Sequence, residues 1–166
     1  MNKLRYLFRY IADKFILIII SVSIFLLPPL TKYVIANQQK SKIHIIIKGQ
    51  KLTVELADTS SKRAVGLMYR EKLDYNEGML FIFPNSQRVT FWMKNTKLPL
   101  SLAYINEKGE ITEILDLEPY DLSFRKSKYK VKYAIEVNQG WFGKNGIKAG
   151  DKIDISKLKQ WRAYRD

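Results

Sequence analysis

The chain of 166 residues contains no cysteine. This absence excludes a disulfide framework, a thiolate nucleophile, a thiolate metal site and a lipid attached through cysteine. His44 is the only histidine, so a zinc site built on two imidazoles is also excluded. The sequence shows no phosphate-binding glycine loop and no serine nucleophile elbow. We therefore predict no cofactor and no metal, and the residues point to no defined reaction.

Long apolar runs are scarce. The clearest one covers Phe15 to Leu27 and ends at Pro28-Pro29. Thirteen helical residues rise about 20 Å, which is less than the roughly 30 Å of a bilayer's hydrocarbon core. The basic flank before the run and the helix stop after it are typical of a secretory signal. Residues 1–36 are therefore predicted to be a signal peptide cleaved after Ala36, or an N-terminal hydrophobic helix kept as a membrane anchor.

Both alternatives place the domain outside the cytoplasm, because the basic flank should stay inside. We expect an exported protein that is periplasmic, or extracytoplasmic and membrane-anchored. The membrane is then a partner through residues 1–36 if that segment is not cleaved. The sequence leaves the oligomeric state open.

Acidic residues are few: 16 Asp and Glu stand against 29 Lys and Arg, which gives a formal net charge of +13. Residues 1–36 hold five basic side chains and one acid, or +4, which leaves 13 − 4 = +9 on the remaining residues. Such a charge favours anionic partners such as phospholipid, although scattered lysines also serve solubility. We predict no nucleic-acid partner. Lys126, Lys128, Lys130 and Lys132 alternate along the chain, which predicts either an anion-binding stripe or an exposed edge strand protected by lysines.

The remaining chain shows many short apolar, β-branched runs separated by turn residues. We predict a tether and first strand over residues 37–50, a β domain over 51–155 and a basic C-terminal tail over 156–166. Only two brief helices are indicated, one capped by Asp58 or Thr59 and one over Trp141 to Asn145. This pattern is typical of a mainly β protein, either a sandwich or a barrel.

The densest group of aromatic, thioether and amide side chains runs from Phe91 to Thr96. Such side chains are what a small-ligand or sugar cleft uses, but they also fill cores. The predicted cleft, with a small molecule, glycan or envelope component as partner, consists of these residues: Met68, Arg70, Trp92, Met93, Asn95, Glu136 and Trp141.

Glu136 is the acid of most interest, because Ile135 and Val137 flank it within a predicted strand. The side chain could face inward beside a cation such as Arg70, or face solvent. An enzyme acting on an envelope substrate would use Glu136 or Asp58 as acid or base, but no two acids stand at a diagnostic spacing. We therefore predict non-catalytic binding first, then a carboxylate enzyme, or a structural module at the membrane.

Several blocks of sequence resemble the family called domain of unknown function 192. The resemblance covers residues 51–155 and rests on these segments, in order: Val54 to Thr59, Arg63 to Arg70, Gly78 to Phe83, Phe91 to Thr96, Pro99-Leu100, Gly140-Trp141 and Gly146 to Asp151.

The resemblance implies a compact, mainly β domain like a jelly roll, with one or two short helices and often a preceding signal peptide. It implies no established reaction. An acidic residue often follows the Pro-Leu pair in this family, whereas Ser101 stands there in this chain. A function that needs that acid would be lacking in this member.

Overall fold

The computed structural model describes residues 42–156 and residue 158. Within these residues, eight strands and two short helices follow one another. In order they are β1 (Lys42–Ile47), β2 (Gln50–Ala57), α1 (Ser60–Val65), β3 (Glu77–Gln87), β4 (Thr90–Phe91), β5 (Leu100–Ile105), β6 (Ile111–Leu117), β7 (Arg125–Lys126), β8 (Val131–Asn138) and α2 (Trp141–Lys144).

One mixed sheet of six strands forms the body of the domain, in the order β1-β2-β3-β8-β5-β6. Neighbouring strands are antiparallel except β2 and β3, which run parallel. β4 and β7 pair separately as a two-stranded ribbon. A mainly β fold with two short helices is therefore confirmed.

The finer fold prediction needs correction. The main sheet does not close into a barrel, and its parallel pair differs from the antiparallel sheets of a jelly roll. Lys152 and Ile153 do make single bridges to Glu110 and Ile47, beside the two edge strands. The sequence predicts a last short strand over Lys152 to Ile155, but the structure forms only these two bridges there. The predicted N-terminal hydrophobic helix lies outside the described residues.

The hairpin between β1 and β2 follows directly from local sequence. Lys48 and Gly49 both have positive φ, at 51° and 81°, and separate two strands in exact register from Ile47 and Gln50 outward. A two-residue turn of this kind matches the right-handed twist of its strands, and glycine adopts such a φ without strain. The sequence Lys48 to Lys51 indicates either a hairpin or a strand break, and the structure forms the hairpin.

Alternation along the strands divides the apolar side chains between two cores, one on each face of the main sheet. The first core contains Leu80, Ile82, Ile135 and Val137, and is covered by Trp141 and other residues after β8. The second core is built by the opposite sides of the same strands and is covered by side chains from and around β4. Its members include Met79, Phe81, Phe91, Met93, Leu102 and Tyr104. The central strands are apolar on both faces because both faces are covered.

Gly78 allows β3 and β8 to approach closely. The sequence predicts a turn at Glu77-Gly78, but both residues lie in β3, and that prediction is wrong. A Cβ atom on Gly78 would lie 2.4 Å from the carbonyl oxygen of Glu136 and 3.0 Å from a methyl carbon of Val137. The strand backbone itself would have to shift to accommodate a side chain here.

We expect Gly78→Ala to lower the free energy of unfolding by about 2–3 kcal/mol, because the added methyl group overpacks a backbone contact. Chemical denaturation monitored by tryptophan fluorescence measures this change. Gly143→Ala is the matched control: no atom lies within 4 Å of the added Cβ, and φ is not positive. That variant should be neutral or slightly stabilising, by up to about 1 kcal/mol. Equal losses in both variants would contradict the close-approach argument.

The predicted lysine stripe does not form on one strand. Lys126 belongs to β7 and Lys132 to β8, whereas Lys128 and Lys130 lie in the bend between them. Alternation in sequence places side chains on one face only while the chain stays extended.

Candidate functional site

A cleft opens on the second-core face of the main sheet, with a volume of about 240 Å³. Its roof is formed by residues 63–68, at the end of α1 and just after it. Phe81 and Phe83 on β3, the segment 90–92 and Thr96 form the walls, and Glu136 on β8 completes the lining. Aromatic and aliphatic residues therefore make up most of the lining, but polar atoms contribute more of the exposed wall than apolar atoms do.

Glu136 faces this cleft because β8 alternates. Ile135 and Val137 point into the first core, so the side chain between them must point to the other face. Its cross-strand neighbours are Met79 and Leu102, both apolar, and only 5% of Glu136 is exposed. Among the described residues, none makes a hydrogen bond or ion pair with its carboxyl group.

Burial raises the pKa of Glu136 to about 8, because a carboxylate is poorly solvated among apolar side chains. At neutral pH the group is therefore mostly protonated. In that state it both donates and accepts hydrogen bonds, which an ionised carboxylate does not do. The floor of the cleft thus presents a neutral polar group within an apolar surround.

Arg63 supplies the positive charge in the lining. Its Nη1 atom donates to the carbonyl oxygens of Asp58 at 2.8 Å and Ile82 at 2.9 Å, and its guanidinium lies 5.6 Å from the centre of the Phe83 ring. These contacts fix the side chain between α1 and β3. Arg63 and the carboxyl group of Glu136 do not form an ion pair. Burial is the cause of the raised pKa of Glu136.

The aromatic wall is closely packed at its base and exposed at its rim. Phe81 and Phe91 pack edge to face with ring centres 4.8 Å apart, and Phe91 meets Tyr104 at 5.8 Å. Trp92 stands at the rim with 39% of its surface exposed. The sequence alternation predicts that Phe91 and Trp92 lie on opposite faces, and this is confirmed: Phe91 is buried and Trp92 is exposed. A half-exposed indole beside buried rings offers a flat face to a ligand.

Local capping places the roof. Thr59 accepts a hydrogen bond from the backbone N–H of Lys62, as an N-cap does, and Gly66 ends α1 with φ of 52°. A Cβ on Gly66 would lie 3.4 Å from the Phe81 ring and 3.9 Å from a carboxyl oxygen of Glu136. Glycine therefore leaves space above the carboxyl group. The expected inward position of Ala64 is wrong, since it is exposed, whereas Leu67 is buried.

Three of the residues that the sequence singled out lie together in this cleft, namely Met68, Trp92 and Glu136. Met93 is packed in the second core and Trp141 in the first, on the opposite face of the sheet. Arg70 forms an ion pair with Glu55 rather than with Glu136. Asn95 donates to the hydroxyl of Tyr69 at 2.6 Å. A ligand-binding role for all seven stays a prediction.

The predicted cleft omitted five residues that also line it, namely Arg63, Gly66, Phe83, Thr90 and Thr96. Thr96 belongs to the dense group that ends there, and Gly66 carries a signal as a helix stop. The other three gain their position from the way distant segments meet.

Ser101, which replaces the acid common in the resembling family, lies away from the cleft. Alternation in β5 turns it to the first-core face. Its hydroxyl donates to Asp116 at 2.5 Å and accepts from the backbone N–H of Gly140 at 2.8 Å. The residue fixes the chain at the start of α2, so its contacts are structural.

Comparison with known proteins places this arrangement in a family. The model of DUF192, described as an uncharacterised ACR, matches residues 43–155. The chain belongs to this family. The match begins at residue 43 rather than at 51, so β1 is part of the family domain. A search of curated proteins found no match.

Two solved structures are similar to this DUF192 domain. A suggested transcription regulator from Sinorhizobium meliloti is 36% identical with a TM-score of 0.65, over 69% of this chain and 92% of that one. A protein of unknown function from Novosphingobium aromaticivorans is 30% identical with a TM-score of 0.66, over 70% of this chain and 87% of that one. The likeness covers nearly all of both relatives.

Proposed function

We propose that this DUF192 domain is a non-catalytic binding module, and that the cleft holds one small organic molecule against Trp92 and Glu136. The observation that supports this most directly is the buried carboxyl group of Glu136 at the floor of a cleft with aromatic walls. The aromatic rings provide apolar contact, and the polar groups of the lining fix orientation.

The size of the cleft limits the ligand. Its volume of about 240 Å³ is below the roughly 300–1,000 Å³ of pockets that hold drug-sized molecules. A molecule the size of one sugar ring, either free or at the end of a glycan, suits this space better than a longer oligosaccharide. The exposed face of Trp92 can stack on the C–H face of a sugar, while Glu136 bonds to a hydroxyl group.

Binding is favoured over catalysis by the polar groups of the lining. General acid–base chemistry usually needs a second titratable group close to the first. Asp58, the other acid considered from the sequence, forms an ion pair with Lys62 and is not part of the lining.

An enzyme remains the second candidate because a carboxylic acid with a pKa of about 8 can act as a proton donor at neutral pH. That role would require a ligand or water to supply the base. Turnover of a bound compound, lost in Glu136→Gln, would favour the enzyme over the binding module.

The place of action is also part of the proposal. We infer that the apolar run Phe15 to Leu27 directs export, so that the domain works in the periplasm or at the outer face of the membrane. Mass spectrometry of the protein from its own host distinguishes a mature chain starting at Asn37 from an uncleaved anchor. A cytosolic chain with residues 1–36 intact would overturn the export proposal.

The Sinorhizobium meliloti relative is described as a suggested transcription regulator, and a DNA-reading role of that kind has less support in this chain. The helices among the described residues comprise six and four residues, and Trp141 and Phe142 of the second are buried. Helix-based readers present a recognition helix to the major groove; both of these helices are too short for that, and the second is also buried.

Trp92→Ala is expected to weaken binding at least about tenfold, because the indole supplies most of the exposed stacking surface. Saturation-transfer NMR with a panel of monosaccharides and glycan fragments finds the ligand, and titration of the variants measures affinity. Glu136→Leu should also lose about tenfold, since a buried hydrogen bond is removed.

Tyr75→Ala is the matched control, since Tyr75 is also an exposed aromatic residue but does not line the cleft. It should bind the selected ligand as the parent does. If Tyr75→Ala and Trp92→Ala weaken binding equally, or if neither does, the ligand binds elsewhere and the cleft proposal fails.

A further inference from the structure

The connection from β6 to β8 exposes apolar side chains that the proposed binding function does not use. Leu122 is 62% exposed and Phe124 is 71% exposed, and Tyr120 just before them is also largely exposed. We call residues 120–124 the apolar loop. Large aliphatic and aromatic side chains at a loop tip, clustered rather than scattered, indicate an interaction surface.

Internal hydrogen bonds hold the apolar loop in place. The carboxylate of Asp121 accepts from the backbone N–H and the hydroxyl of Ser123, at 2.8 and 2.7 Å, and from Arg125 at 2.8 Å. The backbone of Asp121 accepts from the N–H of Met93, and Tyr120 donates to the carbonyl of Thr96. Exposure of Leu122 and Phe124 is therefore built into an anchored loop, and its one acid is used internally.

Basic side chains follow the apolar loop along the chain, and another lies on the neighbouring segment. Residues 120–130 contain Arg125 and three exposed lysines against the single acid Asp121. Lys126 is paired across the ribbon with Thr90, and Lys128 lies 3.2 Å from Glu113. On the neighbouring segment, the Trp92 ring lies 5.9 Å from that of Phe124, with the ammonium of Lys94 5.1 Å from the indole centre.

We propose that the apolar loop inserts Leu122 and Phe124 into the interface of an anionic phospholipid bilayer, with the surrounding lysines at the headgroups. Apolar and aromatic tips enter the boundary between headgroups and acyl chains, and lysines extend their charged ends to lipid phosphates. The positive charge of the whole surface complements an anionic leaflet. A protein partner with an apolar groove would gain less from a ring of lysines, whose cost of ordering is high.

An N-terminal segment that is kept as an anchor would tether the domain to a membrane. If the predicted anchor is kept, fourteen residues, 28–41, separate its apolar run from the start of β1 at Lys42. Fourteen residues can span at most about 50 Å. The loop proposal holds for either fate of residues 1–36 and does not depend on what the cleft binds.

The absence of native cysteine permits a direct test with the full chain. Leu122→Cys and Phe124→Cys each receive a nitroxide label, and the chains are reconstituted into phosphatidylcholine vesicles with or without roughly 30% phosphatidylglycerol. Electron paramagnetic resonance then compares collisions of the label with oxygen, which favours lipid, and with a water-soluble nickel complex. In anionic vesicles we expect nickel collisions at both positions to fall at least about threefold relative to water.

Lys148→Cys is the control position, because Lys148 is exposed in the segment that covers the first core, on the other face of the sheet. Its label should stay accessible to nickel in every vesicle. Lys126→Glu combined with Lys130→Glu should remove the protection at position 124 without unfolding the domain. Labels at 122 and 124 as accessible as the label at 148 would overturn the proposal. So would protection that appears only after membrane proteins are added, since the loop would then be a protein-docking site.

Discussion

Glu136→Gln is expected to stabilise the folded domain, and to do so most strongly at high pH. Burial raises the pKa of Glu136 from 4.5 to about 8 in the folded state. Between these values the folded state keeps a proton that the unfolded state has released, so the free energy of unfolding falls as the pH rises. Below about pH 4.5 both states are protonated and nothing is lost, and above about pH 8 the loss is complete.

The magnitude follows from the width of that interval. The difference of 8 − 4.5, about 3.5 pKa units at 1.36 kcal/mol each, sets an upper limit near 5 kcal/mol. Glutamine keeps the shape and removes the ionisation. Arg63 lines the same cleft, and Tyr104 has its own pKa raised by burial and then by the charges of Glu113 and Glu136. Neither supplies a partner that would cancel the effect.

Urea denaturation at about pH 5 and about pH 9 measures the expected difference. The parent should lose several kcal/mol between these conditions, and Glu136→Gln should lose much less. Glu107→Gln, in the exposed turn between β5 and β6, is the control that removes a carboxylate without removing a buried one. Parallel stability profiles for the parent and Glu136→Gln would show that Glu136 is ionised and solvated in the folded state.

Trp141→Ala is expected to lower the free energy of unfolding by about 3–5 kcal/mol, the usual cost of emptying a large buried aromatic site. Trp141 is fully buried in the first core, packs edge to face on Phe142 with centres 5.4 Å apart, and donates from its indole nitrogen to Asn76 at 3.0 Å. Removal of the indole leaves a cavity between the sheet and α2. Because α2 is only four residues long, it cannot shift enough to fill that cavity.

Two further substitutions test whether the loss of stability comes from the cavity that Trp141→Ala leaves. Trp141→Phe keeps a ring in the site and should recover about half of the loss, because less volume is removed. Trp92→Ala, at the exposed rim of the cleft, should cost no more than about 1 kcal/mol. Thermal or urea unfolding of the three variants provides the comparison. Similar losses for Trp92→Ala and Trp141→Ala would mean that Trp92 is a core residue rather than part of a ligand surface.

Local pattern was sufficient for much of the fold. The Lys48-Gly49 hairpin, the Thr59 cap and the alternation around Phe91 each depend on neighbours a few residues away, and all are present in the structure. The double-sided apolar run Met79 to Phe83 correctly indicated a central strand, because only a strand covered on both faces avoids polar positions. The family resemblance also followed from these blocks.

Pattern could not assign contacts between distant segments. Trp92 and Trp141 each stand next to a phenylalanine in sequence, yet the sheet separates them onto opposite faces. Arg70 was a plausible partner for Glu136 by charge, but in the structure it forms an ion pair with Glu55 on β2 instead. Alternation fixes the face of a side chain relative to its own strand neighbours, whereas register and strand order decide what it meets.

The parallel pairing of β2 with β3 also determines where variation can enter this domain. Two parallel neighbours require a connection that returns to the starting end of the sheet, and residues 58–76 make that return. The roof of the cleft is carried on this same connection. Lengthening or shortening it resizes the cavity while every strand keeps its partners, so relatives can acquire new ligands through one surface segment on an unchanged scaffold.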